Sequence, residues 1–280
     1  MSYENRQVPE GINVSQEHPL KEFSALLIAL AAMVLALVIG VSLAASYLAP
    51  LVPFHLEQKI VDQTGTDWIE GEPLAEEQQE IEQYLKTLGN DLAAEMDLPE
   101  ELVLTIHYNN SDVVNAFATM GGHIVIHGGL LSEMPHENAL AMVMAHEIAH
   151  IKYRHPIVAS SRGLTVGLAL AAVGGVTDSS ATSWLINMLG TGSISSFSRG
   201  QEAQADVEAL NALNAYYGHV NGAADLFRAL GHHGEMGKLL EFFGTHPADE
   251  ERIAAIEKFA QGTASGTTQA MPKGISKALR

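Results

Sequence analysis

Residues 23 to 49, FSALLIALAAMVLALVIGVSLAASYLA, contain no charged side chain. A run this long and apolar has few ways to fold. Out of water, every backbone N–H and C=O needs a partner, and only a helix supplies those partners within a single segment. The run exceeds the ~20 residues that cross the hydrocarbon layer of a bilayer, and it is much longer than the ~7–15-residue apolar core of a cleaved signal peptide. It reads as one uncleaved transmembrane helix, with a signal peptide cut near Ala44 and Ala45 as the competing reading. Arg6 and Lys21 precede it while only Lys59 lies close behind, so the positive-inside rule puts the N-terminus in the cytoplasm and the bulk of the chain outside it.

The chain beyond the span is long enough to bury a core: the protein has 280 residues and is 47% hydrophobic. Its net charge of -18 leaves no basic stripe to displace counterions from a phosphate backbone, which excludes nucleic acid as a partner. Cysteine is absent, so a disulfide framework, a thiolate nucleophile, a Cys-based zinc site and a lipidated cysteine are all excluded.

Along the chain, residues 1–22 are a polar lead-in with Pro9, Gly11 and Pro19. Pro50 and Pro53 close the span and open a linker over 50–73. Leu74, Ile81, Leu85, Leu88 and Leu92 recur at near-helical spacing and predict an amphipathic helix with an acidic, solvated face. ELVLTIHY (101–108) is β-rich, and NAFATMGGHIVIHGG (115–129) reads as two strands around Gly121 and Gly122, together a small antiparallel sheet. Pro135 is expected to open the next helix. GLTVGLALAAVGGV (163–176) predicts a buried or membrane-facing helix, and further helices are expected near 199–217 and 247–260. A Gly- and His-rich loop lies at 231–237, and the tail, 261–280, reads as flexible. Residues 74–260 thus form one helix-rich α+β domain.

Within that domain, AMVMAHEIAHIKYRH (141–155) sets three histidines and a glutamate in an apolar, Ala- and Met-rich run. His146 and His150 are four apart, one turn of a helix and the same face. Two neutral imidazoles so placed are nitrogen ligands for zinc, and Glu147 beside the first can take a proton from an attacking water, so HEIAH fits the His-Glu-x-x-His zinc-protease pattern. Two core histidines with satisfied hydrogen bonds are the plainer alternative, and a third ligand decides between them. The metzincin arrangement fails, because it needs a histidine where Pro156 stands. FSRGQEAQADVEAL (197–210) offers Glu202 and Asp206, four apart on one helical face. Glu202 can coordinate the ion while Asp206 holds a ligand imidazole by its second nitrogen; an exposed acidic face is the alternative. His123, His127, His136, His155 and His219 lack partners at ligand spacing, and His232 and His233 read as a solvated loop.

HEIAH, FSRGQEAQAD, NAFATMGGHIVIHGGLL and THPADEERI occur in the order found in the zinc metallopeptidase family of HtpX, BepA, LoiP and the CaaX prenyl endopeptidases, and the resemblance covers roughly residues 70–260. It implies a gluzincin-type endopeptidase with one Zn2+ per chain on His146, His150 and Glu202, and with Glu147 as general base. It also implies that His246 and Arg252 approach the cleft to polarise the scissile carbonyl and steady the oxyanion, or that His246 caps the open metal position at rest. Asn115, Ala116 and Phe117 would hold the substrate as an added strand, although an ordinary hairpin explains them equally well. The prenyl endopeptidases have several spans where this chain shows one, and lipid-anchored relatives need a cysteine it lacks, which disfavours a prenylated substrate. The expectation is a single-pass protease of the bacterial inner membrane, facing the periplasm, that degrades unfolded or misfolded proteins. The rival is a membrane-tethered chaperone or scaffold with a structural zinc.

Overall fold

A computed structural model describes residues 19–64, 73–174, 197–232, 246 and 250–278. Most of the polar lead-in, most of the Gly- and His-rich loop and the first residues of the helix expected at 247 lie outside the described residues. The chain divides into two compact units, Met1–Val41 and Ser42–Arg280. The described part of the first unit belongs to helix α1 (Pro19–Leu48), where the apolar side chains stand exposed: Leu26 is 70% and Ile28 69% accessible. Among the described residues α1 is the one helix long and apolar enough to cross a membrane.

The second unit begins with the last turns of α1 and a short 3-10 turn, Ala49–Leu51. The expected linker is in large part a helix, α2 (Phe54–Thr64). Its Phe54 and Val61 are buried, Val61 against Phe117, Met120, Val125, Ile157 and Val158. Glu57 pairs with Arg154, 2.5 Å away, and accepts the Gly121 N–H at 3.1 Å, while the Arg154 guanidinium lies 3.8 Å from the centre of the Phe54 ring. These partners sit far along the chain, so a local reading of this polar segment has nothing to register.

Helix α3 (Glu76–Ala94) buries Ile81, Leu85, Leu88 and Leu92, the stripe its spacing predicts. Gly89 lets it approach closely: a Cβ there would lie 2.1 Å from Ile106 Cδ1. The sheet has strands β1 (Thr105–Asn109), β2 (Ala116–Ala118) and β3 (His123–His127), in the order β1-β3-β2. The hairpin is as expected: β2 and β3 are antiparallel, Phe117 opposite Val125, around glycines at φ 77° and 88°. Gly122 is obligatory, since a Cβ would meet Val103 O at 2.2 Å. The sheet as a whole is mixed rather than antiparallel, because β1 and β3 pair in parallel, Thr105 opposite His123. Residue alternation sets which face is buried and carries no sign of strand direction; here β2 itself lies in the crossover that a parallel pair requires.

After a short helix, α4 (Gly128–Ser132), comes α5 (Glu137–Lys152), buried from Asn138 to Ile151. Pro135 stands outside it; His136 is the N-cap, its Nδ1 accepting the Ala139 N–H at 3.1 Å. Helix α6 (His155–Gly174) comes after a turn in which Arg154 takes φ 63°. Helix α7 (Arg199–Tyr217) starts on a Ser198/Gln201 capping box and stops at Gly218 in the left-handed region. It packs along α5, where Ala205, Ala209 and Ala212 are buried and keep the two backbones close. Helices α8 (Asp225–His232), α9 (Glu250–Gln261) and α10 (Lys273–Ala278) complete the described elements. The tail expected to be flexible is docked: Gln269 O accepts the Glu137 N–H at 2.9 Å, its own N–H donates to Asn138 Oδ1 at 2.7 Å, and Ile275 is buried in the core.

Candidate metal centre

His146 and His150 project from one face of α5 towards α7, which presents Glu202, and His246 closes the group. One ligand atom from each of these four buried side chains lies within 4.8 Å of all the others. His146 Nε2 is 2.9 Å from His150 Nε2 and 3.4 Å from Glu202 Oε2, and His150 Nε2 is 3.4 Å from Glu202 Oε1. His246 Nδ1 is 3.3 Å from both His146 Nε2 and Glu202 Oε1. On the far side of the His146 ring, Nδ1 meets Asp206 Oδ1 at 2.9 Å. Arg252, on α9, grips Asp206 with Nε and Nη2, each at 2.8 Å, and Glu202 with Nη1 at 2.7 Å.

The field in this group is made for a cation. Burial opposes charge on His146, yet hydrogen bonds to Asp206 and Glu202 carry it up to about 9. Burial would likewise raise Glu202, but the imidazoles of His146, His150 and His246 hold it well below the usual carboxylate range. His150 is pushed well down, first by burial and then by the charge on His146. Glu147 is fully enclosed, and burial raises its carboxyl against the pull of His246 and His146. Neither Glu147 oxygen makes a hydrogen bond of full geometry, although His246 Nε2 lies 3.3 Å from Oε1 and the Ala118 backbone is close by. Imidazole and carboxylate donors converging on one point, with an acceptor left over beside them, fit a divalent transition metal.

With this geometry in view, comparison with known proteins is specific. Residues 79–260, about two thirds of the chain, match the sequence profile of Peptidase family M48. The chain belongs to peptidase family M48. It therefore carries a metallopeptidase domain. It is 32% identical over 162 residues to the mitochondrial metalloendopeptidase OMA1 of Schizosaccharomyces pombe, covering 57% of this chain and 47% of that one. It is 33% identical over 150 residues to the metalloprotease LoiP of Escherichia coli, covering 51% of this chain and 57% of LoiP. To the beta-barrel assembly-enhancing protease of E. coli it is 38% identical over 77 residues, covering 27% of this chain and 15% of that protein. The chain thus matches less than two thirds of the length of each of these relatives.

The M48 domain brings together His146, Glu147, His150, Glu202, Asp206, His246 and Arg252, residues read from three separate stretches of sequence. Asn115, Ala116 and Phe117 lead into Ala118, whose backbone lies beside Glu147. They occupy β2 and the position before it, at the sheet edge, and β2 packs on α5. All three are buried, Phe117 among Val61, Met120 and Val125.

Sequence spacing misses two contributors. His155 lacks a partner at ligand spacing, yet its Nδ1 is 2.8 Å from His150 Nδ1, because the helix ends between them and the chain turns at Tyr153 and Arg154. Burial pushes the His155 imidazole down to about 4. Phe197 stacks on the His150 ring at 3.9 Å and 21°. A histidine placed just beyond the end of a helix that carries two candidate ligands is the available signal for the first; nothing local marks the second.

Proposed function

We propose that the chain is a membrane-anchored, zinc-dependent endopeptidase that cleaves unfolded or misfolded membrane and envelope proteins. The observation that carries this reading is the convergence of His146, His150 and Glu202 on one point, with the carboxyl of Glu147 enclosed beside it. His246 is the fourth side chain of that group; once it gives up its place to water, the other three form the arrangement of catalytic rather than structural zinc. When bound, Zn2+ supplies the Lewis acidity that makes water a nucleophile near neutral pH. Glu147 takes the proton of the attacking water and returns it to the leaving amine, a role suited to a carboxyl whose pKa burial has raised. Asp206 orients His146, and His246, 3.3 Å from Glu147, faces the region where the carbonyl oxygen develops charge. The nitrogens of Arg252 are engaged by Glu202 and Asp206, which supports a positioning role ahead of the oxyanion role that resemblance implies. The edge of β2 would align the substrate backbone as a further strand.

α1 supplies the anchor, with residues 74–260 as the catalytic domain on the periplasmic side of a bacterial inner membrane. The relatives, among them a mitochondrial metalloendopeptidase and a beta-barrel assembly-enhancing protease, support a protein substrate. The test is zinc content and casein cleavage measured together on wild type and Glu147→Gln. The variant is expected to keep its zinc and lose at least the ~10²–10⁴-fold typical of an acid–base group. Cleavage near the wild-type rate removes Glu147 from the mechanism, and a zinc-loaded wild type that never cleaves makes the chain a tethered chaperone.

A further inference from the structure

We infer that His155 is a positioning residue that fixes the tautomer of His150 and thereby keeps His150 Nε2 bare for the metal. The inference rests on the reading of His150 as a ligand.

The Nε2 atom of His150 faces the cluster, 2.9 Å from His146 Nε2 and 3.4 Å from Glu202 Oε1. To ligate, it must present a lone pair, so the one proton of a neutral ring has to sit on Nδ1. A metal-bound histidine then needs an acceptor for that Nδ1–H. His146 has Asp206, at 2.9 Å. Among the described residues, the partner at His150 Nδ1 is another imidazole, His155 Nδ1, at 2.8 Å.

Two ring nitrogens at that distance share one proton, and there are two ways to place it. If His155 donates, His150 must accept at Nδ1 and carry its own proton on Nε2, covering the lone pair the metal needs. If His150 donates, His155 accepts at Nδ1 and carries its proton on Nε2, and the Gln204 side chain of α7 hydrogen-bonds the His155 ring. The second placement is the one compatible with ligation. Water does not substitute for this contact, since His150 is fully enclosed and His155 is 4% accessible. The His155 ring is held in place by its neighbours, with Tyr153 at 5.9 Å and 29° and Phe197 at 5.8 Å and 45°. A neutral acceptor has a further consequence here. Glu147, Glu202 and Asp206 already crowd three carboxyls around the centre, and an imidazole orients the second ligand without adding a fourth.

The test uses the full chain in detergent, with Zn2+ affinity measured by chelator competition on wild type, His155→Phe, His155→Asn and His150→Ala. Phe keeps an aromatic ring between Tyr153 and Phe197 but accepts no hydrogen bond, so His155→Phe is expected to bind Zn2+ about 10–100-fold more weakly. Asn carries a carbonyl oxygen near the position of Nδ1, so His155→Asn is expected to recover most of that loss, which a purely packing role for His155 would not allow. Wild-type affinity in His155→Phe overturns the inference, and so does an equal loss in Phe and Asn. If wild-type affinity in His155→Phe accompanies loss of zinc in His150→Ala, this inference fails alone. Retention of wild-type affinity in His150→Ala overturns the ligand assignment, and the inference with it. Nitrogen-15 NMR of the zinc-loaded wild type gives a readout that survives any variant that fails to fold. His150 protonated on Nδ1 is expected; protonation on Nε2 overturns the inference.

Discussion

Arg252 is the residue whose chemistry the fold redefines most. Three of its donors are engaged with Glu202 and Asp206, so it is a buried cation between two carboxylates. Arg252→Ala would leave that pair uncompensated, a change that costs on the order of 3–5 kcal/mol when a buried ion pair loses one member. The expected outcome is a less stable protein with reduced zinc occupancy. Arg252→Lys restores the charge without the planar fork and should recover only part of the loss. If Arg252→Ala instead keeps full zinc and loses turnover by ~10²–10³-fold, the oxyanion role is the right one. His127 tests a different balance. Burial lowers it from 6.5 to about 4, with Ser111 Oγ 2.8 Å from its Nδ1. A folded-state pKa below that of the unfolded chain means the unfolded chain takes up the proton first as the pH falls. Its stabilising contribution is therefore complete above about 6.5 and is lost between there and about 4. Urea unfolding at pH 7.5 and 5.0 should show wild type losing on the order of 2 kcal/mol more than His127→Gln over that interval; parallel losses in the two proteins would exonerate His127. At this scale the sequence is legible where chemistry repeats at a fixed spacing, as at His146 and His150 or Glu202 and Asp206. His155 and Phe197 are invisible in it because one contact crosses a helix end and the other joins residues distant in sequence, so neither follows a period.

Elements are legible in proportion to how much of their stabilisation is local. The Ile81, Leu85, Leu88 and Leu92 stripe announces α3, and the Gly121 and Gly122 turn announces the hairpin. α2 and α10 do not announce themselves, because both are held by distant partners: Glu57 by Arg154 and Gly121, and the segment leading into α10 by the start of α5. The parallel pairing of β1 with β3 is hidden for the same reason, since direction is decided by the route of the chain. The α2 contacts lead to a prediction. Glu57→Ala strands Arg154 and removes the carboxylate that receives the Gly121 N–H, so it should destabilise the protein by ~3 kcal/mol or more and speed hydrogen exchange in the hairpin, 116–127. Replacing both members, Glu57→Met with Arg154→Met, leaves no charge unpaired and should cost much less. Unaltered exchange in the hairpin of Glu57→Ala would show that α2 does not brace it.

The whole chain joins a charge-free run, residues 23–49, to a strongly acidic remainder, and these two properties pull in opposite directions at a membrane. With its net charge of -18 the chain as a whole is repelled by anionic headgroups, so surface electrostatics cannot hold it there. Under the proposed anchoring, attachment comes from α1, whose outward apolar side chains favour hydrocarbon over water. The two sources of attachment respond differently to salt, since screening weakens charge-driven binding and leaves hydrophobic insertion in place. Washing membranes at ~1 M salt, where the screening length falls to ~3 Å, should therefore release none of the full chain. Deletion of residues 1–41 should send the protein to the soluble fraction. If Arg6 and Lys21, which precede the apolar run 23–49, set the orientation as proposed, a reporter active only outside the cytoplasm, fused after Arg280, is expected to work, and a cytoplasmic reporter at the same position is expected to stay silent. Release by salt would refute insertion, while a working cytoplasmic reporter on salt-resistant protein would keep the anchor and move the metallopeptidase domain to the opposite face of the membrane, with the substrates available there.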